Sequence, residues 1–222
     1  MLAQTQHEVR GYRRTAMANS LQGVTTEFIS PHKVKDLCPI INISGPRYPV
    51  LGALWQARGG TARHDAVAWG YARKCSDMGM DIVQQTEVTS IKSQKGKISG
   101  VITTAGEIAC DKLCVVVAGH SGVLAEMAGF RLPVESVALQ ELVSEPIKPC
   151  MDVVDKANNV HGYMSQSDKG EMVIGGAPDS AQSFRRDIKQ HVFEDTVGAM
   201  LELFPSFKRL KLLRQWGGHL DI

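Results

Sequence analysis

Apolar and polar positions along this chain follow two periods, and the switches between them mark its elements. Residues 6–20 make a helix-length stretch with a basic face. Ser30-Pro31 supplies an N-cap followed by proline in the first turn, and the short helix it opens should end before Cys38-Pro39. Residues 40–49 carry Gly45-Pro46 and Tyr48-Pro49 and predict an extended loop, with a strand over 50–55. Val67, Tyr71 and Cys75 recur at every fourth position, with Met78 three further on. That stripe predicts an amphipathic helix over 63–78, ended by Gly79.

Period two takes over next. A strand is expected over 81–88. Two hairpins follow, 91–98 turning at Lys95-Gly96 and 101–108 turning at Ala105-Gly106. The run Leu113-Cys114-Val115-Val116-Val117-Ala118-Gly119 is almost continuously apolar, as in strands buried on both faces of a parallel sheet. A small helix is expected over 121–128. Residues 134–144 and 162–167 predict strands of a second, antiparallel sheet, and Ser167-Asp168-Lys169-Gly170 turns into another over 172–175. Residues 187–204 predict an amphipathic helix with Ile188, Val192, Thr196, Met200 and Leu203 on one side, stopped by Pro205. A last strand is expected over 210–216. This order predicts a mixed α/β or α+β fold with two layers of sheet.

Composition bounds the function. The 222 residues suffice for one large or two small domains. A net charge of +2 points to neither nucleic acid nor an anionic membrane as a partner. No apolar run approaches the roughly 20 residues that span a bilayer, and no basic-then-apolar leader opens the sequence. The five cysteines are odd in number and form no C-x-x-C, which suits reduced thiols in a cytoplasmic protein. No metal-ligand spacing is present, and no metal is expected.

Candidate chemistry concentrates at three places. His64 follows Gly59-Gly60 at the start of the helix over 63–78. A helix N-terminus disfavours positive charge, so the imidazole there tends to stay neutral, with a nucleophilic nitrogen. Asp65 beside it can orient the ring. Taken alone, a histidine at a helix start is more often structural or solvated. Ala118-Gly119-His120-Ser121-Gly122 brings small residues to a strand end, where backbone can approach a cofactor. The complete G-x-G-x-x-G fingerprint is absent, and by itself this is a plain strand-to-helix turn. Tyr163 and Trp216 are strand aromatics next to glycine. They suit ordinary sheet packing, or the wall of a site for a small cation.

The segment Ala62-Arg63-His64-Asp65-Ala66-Val67-Ala68-Trp69-Gly70-Tyr71-Ala72-Arg73 resembles the flavin-linked segment of heterotetrameric sarcosine oxidase beta subunits. Further stretches match the same family, among them Arg47-Tyr48-Pro49-Val50-Leu51-Gly52, Met127-Ala128-Gly129-Phe130-Arg131-Leu132-Pro133 and Leu213-Arg214-Gln215-Trp216-Gly217-Gly218. The resemblance runs the whole length of the chain. It implies a D-amino-acid-oxidase type of fold, with part of an FAD-binding Rossmann-type domain over about 59–133. A mixed-sheet substrate domain would comprise about 1–58 and 134–215.

The resemblance further implies oxidation of sarcosine to glycine, with formaldehyde or methylene-tetrahydrofolate and hydrogen peroxide as the other products. FAD would be held non-covalently and FMN would be bonded to His64. Val88, Ala118 and Gly119 would lie against FAD, and Tyr163 and Trp216 would face the substrate. The implied partners are alpha, gamma and delta subunits, with NAD on alpha, and tetrahydrofolate. A sarcosine or dimethylglycine dehydrogenase is the alternative within flavoenzymes, and a non-catalytic assembly module the alternative outside them. The family opens with a strand and a G-x-G-x-x-G turn and continues beyond the Trp216-Gly217 strand. This chain is therefore expected to be an internal fragment, inactive by itself.

Overall fold

The computed structural model describes residues 1–187 and 189–222. Two compact units emerge, Met1–Thr61 with Ala138–Gly218, and Ala62–Val137 with His219–Ile222.

The first unit is built on an eight-stranded sheet, of which only 136–137 and 219–221 belong to the second unit. Its strands are β1 (Leu2–Ala3), β2 (Glu27–Ile29), β3 (Gly52–Trp55), β7 (Ser136–Pro146), β8 (Asp155–Ala157), β9 (Gly162–Gln166), β10 (Glu171–Gln182) and β11 (Leu212–Asp221). They are ordered β11-β7-β10-β9-β8-β1-β3-β2. β8, β9 and β10 pair antiparallel, whereas β1 runs parallel to β8, so the sheet is mixed. The short strands β1, β2 and β8 lie below the length at which alternation is legible, which is why pattern alone missed them.

The helices of this unit start where local chemistry says they should. α1 (Gln6–Leu21) opens with a capping box: Thr5 Oγ1 accepts from the Glu8 N–H at 3.2 Å, and Glu8 Oε2 accepts from the Thr5 N–H at 3.1 Å. α2 (Pro31–Leu37) has Ser30 as its N-cap and proline in its first turn. α5 (Gln190–Leu203) buries Val192, Thr196, Met200 and Leu203, the expected stripe. Ile188, expected on that stripe, lies outside the described residues. The core gathers Leu2, Ile41, Leu142, Met172, Ile174 and Phe204, each at most 1% exposed.

In the second unit, β4 (Val88–Gln94), β5 (Lys97–Thr103) and β6 (Gly106–Ala109) form an antiparallel meander. The two expected hairpins are thus one three-stranded sheet that shares β5. α3 (His64–Asp77) and α4 (Ser121–Met127) complete the unit. Three expectations change here. Residues 81–87 form no strand, and β4 begins only at Val88. Residues 113–117 form no strand either, and Val116 is 84% exposed. α3 forms over the expected span, yet none of its residues is buried. A strand is defined by the neighbour that accepts its hydrogen bonds, and an apolar stripe is buried only if a surface meets it. Among the described residues neither is supplied.

One polar cluster sits inside the core of the first unit. Asp155 is 8% exposed and faces Cys38. Burial, then the charge and hydrogen bond of Asp155, push the Cys38 thiol up to about 12. Burial raises the Asp155 carboxyl above its ordinary value of 3.8, against the opposing pull of the Cys38 hydrogen bond. A carboxyl whose pKa rises on folding stabilises most below the unfolded value and loses that contribution as pH climbs through the folded one. Asp155→Asn, which does not ionise, should therefore gain in Tm relative to wild type between pH 3.8 and about pH 7. Melts at both pH values check this, and a pH-independent difference would refute it.

Candidate functional site

The chemistry-bearing residues fall into separate places in the two units. In the second unit, Arg63 caps α3 through its backbone alone, and His64 is the first helical residue. The His64 side chain is 97% exposed. Its Nδ1 accepts the Asp65 backbone N–H at 2.8 Å, which leaves Nε2 turned to solvent. Asp65 Oδ1 stands 3.8 Å from the same Nδ1. The Asp65 carboxyl is held below its ordinary value, first by the backbone N–H of Ala66 and further by His64. An exposed imidazole with one nitrogen anchored and the other open suits attachment of a large group, because nothing has to be displaced.

Val88 opens β4, opposite Thr103. Ala118 adopts φ 45° and starts a 3-10 turn, Ala118–His120, instead of ending a strand. Gly119 is buried, and a Cβ on it would overlap His219. The His219 ring makes an edge-on contact with His120, with centroids 5.1 Å apart. The Gly119 carbonyl accepts from Ser136 Oγ at 2.5 Å, and Ser136 also lies 3.2 Å from Asp221 Oδ1. Glycine is required here by a histidine against its Cα.

The first unit carries the other candidates. Tyr163 lies on β9, opposite Gly175 of β10. A Cβ on Gly175 would overlap the hydroxyl end of the Tyr163 ring. The ring therefore passes over Gly175, and its hydroxyl donates to Glu141 Oε1 on β7 at 2.5 Å. The phenol is pushed above its ordinary value by burial first, then by the hydrogen bond to Glu141 and its charge, so it stays a neutral donor. Trp216, on edge strand β11, is 39% exposed. β7 and β10 separate its strand from that of Tyr163, so the two aromatics belong to one sheet without forming one pocket wall.

Glu141 and Gly175 escaped sequence reasoning. A single glutamate in an apolar strand carries no spacing signal, and Gly175 reads as a strand-end glycine until Tyr163 is seen to cross it. A cleft of about 490 Å³ opens elsewhere in this unit between the loop at Arg47 and Tyr48, the turn at Asn159 to His161, and the flank of α5 at His191, Asp195 and Glu202. None of the expected site residues lines it. Among the described residues no cluster of potential metal ligands occurs, and no helix is long and apolar enough to cross a membrane.

Comparison with known proteins adds what geometry alone does not carry. A family model described as FAD dependent oxidoreductase matches residues 1–222. The chain is 63% identical over 222 residues to sarcosine oxidase subunit beta of Rhodobacter capsulatus, covering 100% of this chain and 54% of that one. It is 47% identical to the subunit of the same name from Arthrobacter, covering 99% of this chain and 55% of the relative. The chain thus spans about half the length of the curated relatives it matches. Among solved structures, L-proline dehydrogenase from P. horikoshii superposes with a TM-score of 0.90 at 22% identity, over 98% of this chain and 58% of that one. That likeness concerns the fold.

Gly119 lends itself to a direct test. With His219 against its Cα, Gly119→Leu must displace a ring packed in the same unit. The expected cost is that of overpacking, about 1–3 kcal/mol. A thermal melt should register it as a clear drop in Tm; an unchanged Tm would show that the His219 contact is not held in solution.

Proposed function

The chain belongs to the FAD dependent oxidoreductase family, and from that premise we propose that it is part of a flavin-dependent amine oxidase of the sarcosine oxidase beta type. The observation that carries this reading is the 63% identity to such a subunit across every residue of the chain. The proposed reaction takes sarcosine to glycine, with formaldehyde, or methylene-tetrahydrofolate when tetrahydrofolate is present, and hydrogen peroxide from oxygen. The proposed setting is a cytoplasmic heterotetramer with alpha, gamma and delta subunits.

The roles of this chain's residues follow from that reading. The second unit is assigned to the flavin-binding part and the first to the substrate part. His64 is assigned as the attachment point for FMN. Its solvent-facing Nε2 and 97% exposed side chain suit such a bond, with the Asp65 N–H fixing the ring by its other nitrogen. Val88, Ala118 and Gly119 are assigned to FAD; Ala118 and Gly119 carry little side chain of their own at the start of that turn. Tyr163 and Trp216 are assigned to the substrate side. Bound flavin would supply the acceptor for the hydride of the amine's C–H bond and the route of its electrons to oxygen.

Two measurements test the reading. The full-length protein, assembled with its partner subunits, should release peroxide in step with sarcosine consumed; absence of sarcosine-dependent peroxide would refute the activity. Peptide mapping of that holoenzyme should find an FMN-sized mass on the peptide containing His64. His64→Ala should abolish acid-stable flavin and leave dissociable FAD in place. An unmodified His64 in active holoenzyme would refute the attachment.

A further inference from the structure

The sheet of the first unit has two unlike faces. Met164 and Ile174 are at most 2% exposed and pack in the core. One position along each strand, Tyr163 and Val173 are half-buried, as are Leu139 and Glu141 on β7. Tyr163 reaches across Gly175 to Glu141, so three strands contribute to one contact. Among the described residues Tyr163 is the side chain that donates to Glu141, and it engages Oε1 only. Oε2 remains for another donor.

Half-buried acceptors of this kind favour a charged donor. A carboxylate removed from bulk water interacts more strongly with a cation than an exposed one does, and charge-assisted hydrogen bonds are about twice as strong as neutral ones. The Tyr163 hydroxyl holds the carboxylate in one orientation before any ligand arrives, which lowers the ordering cost of binding. The ring itself adds an aromatic surface beside the carboxylate, and aromatic faces attract cations.

Resting on the amine-oxidase reading above, we infer that Glu141 receives the secondary ammonium of the substrate through Oε2, with Tyr163 as its positioning residue and Gly175 as the opening that lets Tyr163 reach it. Glu141 then selects for the cationic end of an N-alkyl amino acid. A neutral analogue of the same shape gains nothing from it.

The test compares two ligands in the full-length, assembled enzyme. Sarcosine carries the ammonium; methylthioacetate has a neutral sulfur in its place and is followed by its effect on the flavin spectrum. Glu141→Gln is isosteric and still accepts the Tyr163 hydrogen bond. It should raise KM for sarcosine at least about tenfold, while Kd for methylthioacetate stays within about twofold of wild type. Tyr163→Phe should move sarcosine KM in the same direction by a smaller factor, again sparing methylthioacetate. An unmoved KM in Glu141→Gln, or equal weakening of both ligands, would overturn the inference and leave the pair as a fold contact. Wild-type enzyme that neither oxidises sarcosine nor binds methylthioacetate would overturn the substrate reading and this inference with it.

Discussion

Gly175 and Gly176 set the geometry of the first unit, because β10 is approached closely on both of its faces there. On one face the Tyr163 ring occupies the space of a Gly175 Cβ; on the other, Thr196 of α5 occupies that of Gly176. Any side chain at either position would push a neighbour away. Removing both lets α5 sit against the strand and lets a phenol reach two strands over to Glu141. Thr196 completes the fit by turning its hydroxyl back onto the Val192 carbonyl at 2.7 Å, so its own buried donor is satisfied. The core of Leu142, Met164, Met172, Ile174 and Met200 closes around that contact.

The second unit is organised differently. Its well-formed parts are a meander joined by tight turns and two helices, neither of which starts on a side-chain N-cap. Its apolar residues are another matter. Val67 and Tyr71 on α3 and Val115, Val116 and Val117 between β6 and α4 are all 40% exposed or more. α5 shows what the same helical pattern does when a sheet meets it, since four of its stripe residues are buried there. Hydrophobic pattern states a demand for a surface; it does not provide one. The exposed His64 belongs to this same region, with apolar neighbours in sequence.

The candidate residues differ in how far local sequence specifies them. His64 was legible because a long segment around it resembles a known family; its own features, a glycine pair and a helix start, are common. The helix expected over 63–78 begins at His64, and the hydrogen bond from the Asp65 N–H to Nδ1 depends on the folded helix start. Gly119 was legible as a small residue at a turn, but its packing against His219 joins positions a hundred residues apart in sequence. Tyr163 was visible as an aromatic beside glycine. Its partner Glu141 was not, because the contact depends on strand order, which no local pattern encodes.

By itself the sequence determined the elements whose signals are local. The Ser30-Pro31 start, the Lys95-Gly96 turn and the α5 stripe each act over short stretches of chain, and each appears where its chemistry places it. Tertiary structure alone decided which strands are neighbours, whether apolar stretches such as 113–117 become strands, and which polar groups meet across β10. The physical reason is the range of the forces. Capping and turn preferences are settled within a few bonds of the backbone. Strand pairing, burial and the reach of Tyr163 to Glu141 require surfaces contributed by distant parts of the chain, and exist only once those parts have come together.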